Sequence, residues 1–226
     1  MITKTEMTVN ISQGPVVISA FSNTSRVGIS LSGGADSAIL LYMLATFKKE
    51  YRSDLQIVPI TTINSQKPYQ EIFAKSVVKY VEDKLSIVLN DDRLHLSELL
   101  DGERETFVYD KAVWTNKVKT YNRLQETYMG ETMNPSLDVE HDWFFAGKGR
   151  DTSRDGKQDL SQYVRNHRPL RNIDKQGVKE LYEYYGVLDE LFPLTRSCEN
   201  ITTNFKMHCG FCWFCAEREW GFGRLV

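Results

Sequence analysis

The chain has 226 residues, 41% of them hydrophobic and 26% charged, with a formal net charge of −2. That length accommodates one well-buried domain with an appendage and is too short for two full-sized domains. The near-neutral balance offers no basic footprint for nucleic acid and leaves only a local basic groove open. No apolar run approaches the ~20 residues that span a bilayer, and the first residues lack the charged-then-apolar layout of a secretion signal, so a cytoplasmic protein without membrane contact is expected.

In chain order, residues 1–25 are polar around a short apolar run at 15–18 and read as a strand or hairpin placed ahead of the first core strand. Residues 27–31 form the first core strand, and an apolar helical run begins at Ala38 and ends near 48–50. Residues 55–60 read as a second strand. Residues 71–83 read as a helix with Ile72, Val77, Val78 and Val81 at helical spacings, followed by a strand at 86–89. Residues 110–128 are expected to be helical and 129–142 to be an exposed loop rich in acids. A buried strand at 142–147 then opens onto Lys148, Gly149, Arg150 and Asp151, and residues 175–185 form a last helix before the tail. Alternating strands and helices argue for an open parallel α/β sheet with helices on both faces, whose ligand lies at the carboxyl ends of the strands.

The stretch Ser32-Gly33-Gly34-Ala35-Asp36-Ser37 sits between the first core strand and its helix. Two glycines let the backbone approach an anion, the serine hydroxyls add donors, and the helix start supplies unpaired N–H groups and the positive end of its dipole. Asp36 suits an anion site only when a divalent cation accompanies the phosphates, so the motif points to a nucleotide carried with Mg²⁺. The bland alternative is a glycine-rich turn without a ligand; the flanking strand and helix patterns favour the cradle.

All four cysteines fall near the end of the chain, as Cys198, Cys209, Cys212 and Cys215. Thiolates at this spacing suit the tetrahedral shell of a closed Zn²⁺ site. An iron–sulfur cluster is the rival reading, and two disulfides the third. His208 reads as a surface residue or a neighbour of the metal shell, and Trp213, Phe214, Trp220 and Phe222 as apolar packing for the tail.

The strand-loop-helix motif resembles the signature of the PP-loop ATP pyrophosphatases, which cleave ATP between the α and β phosphates. With the cysteine tail, the chain is similar to the 7-cyano-7-deazaguanine synthases within that group. The matching positions are Thr195, Ser197 and Cys198, then Cys209-Gly210-Phe211-Cys212-Trp213-Phe214-Cys215, Arg218 and Gly221-Phe222, with Arg168-Pro169-Leu170, Lys175, Gly186-Val187, Gln66 and Glu71 upstream. The family's Tyr-Gly before the glutamine is Asn64-Ser65 here, and its Tyr-Pro-Asp-Cys-Arg-Pro segment is replaced by Thr152-Ser153-Arg154-Asp155-Gly156-Lys157.

The resemblance implies an adenine nucleotide alpha hydrolase-like fold, with a nucleotide-binding domain over 26–190 behind an N-terminal extension of 1–25, and a zinc knuckle over 191–226. It implies that Ser32, Gly33, Gly34, Ala35, Asp36, Ser37, Thr61 and Gln66 bind ATP with Mg²⁺. Lys148, Arg150 and Lys175 are the implied catalytic cations, and the four cysteines the implied Zn²⁺ ligands. The implied reaction is ATP-dependent, AMP-forming conversion of a 7-carboxy-7-deazaguanine-like carboxylate, with ammonia, to the amide and nitrile by a homodimer. Two alternatives stand beside it: a PP-loop ATPase acting on another nucleobase, nucleotide or tRNA, and an inactive nucleotide-binding component of a complex.

Overall fold

The computed structural model describes residues 3–64, 69–89, 95–99, 119–120, 123–139, 150–200, 202, 205 and 207–225. An antiparallel hairpin of β1 (Lys4–Ile11) and β2 (Gly14–Phe21) leads into β3 (Arg26–Ser30), α1 (Ala35–Tyr51), β4 (Gln56–Asn64), α2 (Tyr69–Leu85) and β5 (His95–Leu99). Then come β6 (Glu126–Met129), the short β7 (Asn166–His167), α3 (Lys175–Tyr184), α4 (Leu188–Leu191) and α5 (Trp213–Phe222). Strands β3 to β7 make one sheet in the order β5-β4-β3-β6-β7, parallel at every pairing.

That order decides where a ligand site belongs. From β3 the chain steps outward through β4 to β5, then returns to the other side of β3 for β6 and β7. The strand order therefore reverses between β3 and β6, and an open parallel sheet offers its crevice at that switch, beyond the carboxyl ends of the strands. Right-handed crossovers place α1 and α2 on one face. The return from β5 to β6 runs the opposite way along the sheet, which sends the helical residues Lys119 and Thr120 to the other face, where Lys119 Nζ reaches Asn166 on β7. Helices thus cover both faces, as expected.

Helix α1 is buried on every side from Ala38 to Thr46, because it is wrapped by the sheet, the hairpin, α2 and α3. A helix that is apolar all round has no solvent face to offer, and its sequence shows none. Met7, Val9, Val16, Ile18 and Ala20 of the hairpin pack into the same core as α1, and so does Phe222 of α5. Each end of the chain is therefore built into one hydrophobic core. Among the described residues no helix is long and apolar enough to cross a membrane.

Three expectations are corrected. Residues 86–89 do not form a strand: Ser86 takes a positive φ of 54° and Val88 is exposed, so the run contributes a single ladder bond from Ile57 N to Leu89 O (2.9 Å), and the pairing strand is β5. The expected helix over 110–128 ends instead in β6, an inner strand of the sheet. Glu126 of that strand is buried, and His167 and Thr24 bind its carboxylate. The segment after β6 is irregular as expected but is not exposed throughout, since Thr132 and Asn134 are buried by partners distant in sequence. The strand expected over 142–147 lies outside the described residues.

Candidate functional site: an anion cradle beside a four-cysteine cluster

Strand β3 ends and the chain turns into α1 through Ser32, Gly33 and Gly34. Leu31 closes the strand by donating to Ile60 O (2.8 Å), and the buried Thr61 hydroxyl donates to Leu31 O (2.7 Å). Thr61 therefore steadies the loop from behind and does not face the cradle. Gly33 has φ +78°, and a Cβ there would lie 2.7 Å from Phe73 Cβ on α2, so both its conformation and its surroundings require glycine. Across the loop Gly130, just past β6, passes so close that its own Cβ would stand 2.9 Å from Ser37 N.

The helix start is left open. Gly34 is the N-cap and makes no side-chain cap bond. Among the described residues the backbone N–H groups of Ala35, Asp36 and Ser37 have no hydrogen-bond partner, while Ala38 N already bonds Gly34 O (3.0 Å). The Ser32 and Ser37 hydroxyls lie 3.2 Å apart and line the same opening. Unpaired amides at the positive end of a 17-residue helix, with two hydroxyls beside them, form a receptor for an anion.

Charged side chains from three distant segments converge on this cradle. Lys175, at the start of α3, bonds Asp36 Oδ2 and stands 3.7 Å from Glu217 Oε2 on α5. Arg154 Nη2 bonds Glu217 Oε1 (2.5 Å) and Thr132 Oγ1 (3.1 Å), and its Nε bonds Thr132 O (2.8 Å). Burial disfavours the Arg154 charge, yet Glu217 and Asp36 more than compensate and raise its pKa. Asp36 Oδ1 is buried without a partner among the described residues. A buried carboxylate oxygen left in that state is the position a cation fills. Asp36, Arg154, Lys175 and Glu217 line a cavity of ≈ 170 Å³ together with Ser32 and Ser37.

The cysteine cluster adjoins the same cavity through Cys198, which lines it. Their four Sγ atoms lie within 4.8 Å of one another, including Cys209 to Cys215 at 3.8 Å, Cys212 to Cys198 at 4.0 Å and Cys212 to Cys215 at 3.4 Å. All four are free thiols. A tetrahedral ion with sulfur ligands at about 2.3 Å spaces them by about 3.8 Å. A multi-iron cluster stands several atoms between its thiolates and spreads them further. The donor set therefore fits one ion. Cys198 is drawn to the thiolate form by hydrogen bonds from Cys212 and Cys215, and the same contact pushes Cys212 up to about 11.

Of the residues singled out from sequence, Ser32, Gly34, Ala35, Asp36, Ser37 and Lys175 line the cradle, and the four cysteines form one cluster. Arg150 lies in a neighbouring cavity, bonded to Asp155 (2.5 Å) and 5.4 Å from the Trp213 ring. Lys148 and Gln66 lie outside the described residues. His208 is held neutral, its pKa lowered to about 4 by burial and then by the positive charges of Arg218 and Arg196. The tail aromatics pack as expected: Trp213 against Phe214 and Trp220, and Phe222 stacked on Phe192 at 4.1 Å. Sequence reasoning missed Arg154, Glu217 and Thr132. Their only signal was that Arg154 falls in the segment that departs from the synthase pattern.

Fold and site together define an open parallel α/β protein with a strand-to-helix anion cradle and an adjoining cysteine cluster suited to a metal ion. No family model matches the chain, and no curated protein matches it. Among solved structures it is similar to the U34-tRNA thiolase NcsA from Methanococcus maripaludis with its [4Fe-4S] cluster, at 16% sequence identity and a TM-score of 0.48. The match covers 80% of this chain and 61% of that one, so the chain spans less than two thirds of that neighbour's length.

Proposed function

We propose that the protein is an ATP-dependent, AMP-forming ligase of the PP-loop kind that converts a 7-carboxy-7-deazaguanine-like carboxylate, with ammonia, to the amide and then the nitrile. The observation that carries this reading is the cradle itself: three helix amides without a partner among the described residues, the left-handed Gly33 and Lys175 meet at the carboxyl end of the central strand.

The amides of Ala35, Asp36 and Ser37 and the hydroxyls of Ser32 and Ser37 would bind the β and γ phosphates. Asp36 and Glu217 already offset Lys175 and Arg154, so a triphosphate needs added positive charge. Asp36 Oδ1 and the phosphate oxygens would hold Mg²⁺, which supplies that charge. The substrate carboxylate oxygen attacks the α phosphorus, the α–β bridging bond breaks, and pyrophosphate leaves. Ammonia then displaces AMP to give the amide. The amide oxygen then attacks the α phosphorus of a second ATP, a second pyrophosphate leaves, and loss of AMP with the two amide N–H protons gives the nitrile.

The protein's part is to place these groups and stabilise developing charge. Lys175 is positioned to shift from Asp36 to the departing pyrophosphate. Arg154 is locked by Thr132 and Glu217, and its Nη1, without a partner among the described residues, is left for the α phosphate. Zn²⁺ on Cys198, Cys209, Cys212 and Cys215 would be structural, joining the 195–198 segment to α5.

The reading is tested by incubating the zinc-loaded protein with MgATP, ammonium and 7-carboxy-7-deazaguanine while following pyrophosphate release and the mass of the base. Conversion with AMP formation supports the synthase. Cleavage of ATP without conversion moves the substrate to another nucleobase, nucleotide or tRNA. That second reading is favoured by the departing segment 152–157, which sends Arg154 into the cradle. No cleavage leaves a nucleotide-binding component.

A further inference from the structure

The cysteine cluster and the anion cradle share a wall, and one short strut makes it. At one end the backbone N–H of Arg196 donates to Gly33 O (2.9 Å). At the other, the buried Cys198 gives its sulfur to the cluster. Between them the Arg196 guanidinium gathers the loop that leads to Cys209: Nη1 donates to Phe205 O (2.9 Å) and Met207 O (2.5 Å), and Nη2 to Asn200 O (2.8 Å) and Thr202 Oγ1 (3.1 Å). From α5, which carries Cys215, Arg218 donates to Thr195 Oγ1 (2.9 Å) and Ser197 Oγ (3.2 Å). On the opposite side Gly33 is pressed against Phe73 of α2. The loop is wedged between a helix and a strut whose far end is a metal ligand.

We propose that Arg196 is a positioning residue that couples the two sites, so that a metal ion in the cysteine cluster and the phosphates of a nucleotide in the cradle each bind more tightly when the other is present. The coupling rests on reading the loop as a nucleotide cradle. Its physical basis is shared ordering. An ion on Cys198 and Cys209 fixes both ends of the loop that Arg196 holds, and the fixed strut holds the Gly33 peptide in its left-handed turn. A nucleotide meeting a loop already ordered loses less conformational entropy. Thermodynamic linkage then requires the same factor in reverse, from nucleotide to metal. Arg196 serves four acceptors with one planar fork, which a lysine ammonium does not reproduce.

The test uses the full chain loaded with Zn²⁺. Its zinc affinity is measured by competition with a chromogenic chelator, with and without a saturating magnesium complex of α,β-methylene ATP, and binding of that analogue is measured separately by calorimetry. The expected result is about tenfold tighter zinc binding with the analogue present, inside the 5–150-fold range of coupled sites. Arg196→Lys, with the cysteines and phosphate loop intact, is expected to bring that ratio close to one. Saturable analogue binding that leaves zinc affinity unchanged overturns the coupling. A wild-type ratio in Arg196→Lys overturns the role of Arg196. If that variant does not fold, the wild-type ratio decides alone. An analogue that does not bind the zinc-loaded protein at all removes the nucleotide reading, and the coupling with it.

Discussion

Two clusters of buried charge lie toward opposite ends of β3, and they are finished differently. Under the hairpin, Glu126 accepts hydrogen bonds from Thr24 Oγ1, Phe21 N (3.0 Å) and His167 Nε2 (2.5 Å). Arg52 nearby bonds Phe21 O (3.0 Å), Thr24 O and both oxygens of Asp54 (2.9 Å). Every charged atom of Glu126 and Arg52 there has a partner, and the network staples the hairpin to the sheet. In the cradle, Asp36 Oδ1 and three helix amides have none among the described residues. Polar groups buried without partners are costly. The closed cluster therefore stabilises the fold, while the open one keeps polar groups that a ligand could satisfy.

The comparison is sharpest at Lys175. Lys175→Met is expected to lower turnover by about 10²–10³-fold, the loss typical of removing one preorganised charge from a reacting centre, as measured by pyrophosphate release. Its counterpart is Glu126→Gln, expected to cost about 2 kcal/mol of stability, because the hydrogen bonds from Thr24, Phe21 and His167 lose their charged acceptor. Denaturant unfolding reads that loss, and nucleotide affinity should stay at the wild-type value. A Glu126→Gln protein that keeps its stability but loses nucleotide would reverse the roles assigned to the two clusters.

Gly33→Ala tests the loop itself. A side chain at φ +78°, with its Cβ meeting Phe73 Cβ at 2.7 Å, is expected to cost about 2 kcal/mol in backbone strain and to weaken pyrophosphate binding at least tenfold by shifting the peptide. Calorimetric titration checks the second figure. The smallest effect is in acid. Burial pushes the Glu126 carboxyl up, but hydrogen bonds from His167 and Thr24 outweigh it and hold the group below the usual carboxylate value. A pKa lower in the folded than in the unfolded state adds stability that is fully present above the ordinary glutamate range and is lost as pH falls through the folded value. Unfolding midpoints measured from pH 6 to pH 3 should fall more steeply for the wild type than for Glu126→Gln.

The sequence by itself determined the local features. The run of strand, Ser32-Gly33-Gly34-Ala35-Asp36-Ser37 and helix was legible because a phosphate cradle is built from contiguous residues, whose small side chains and helix start are chemistry in their own right. The grouping of Cys198, Cys209, Cys212 and Cys215 was legible for the same reason, since short spacings alone bring thiols together. Tertiary structure decided the rest. It made Glu126 part of an inner strand, because a buried carboxylate is tolerated only where Thr24 and His167 reach it from far along the chain. It also chose which cations face the cradle, taking Lys175 and Arg154 and leaving Arg150 with Asp155. Charge convergence of this kind depends on distances between segments more than a hundred residues apart, and side-chain spacing along one segment carries no record of it.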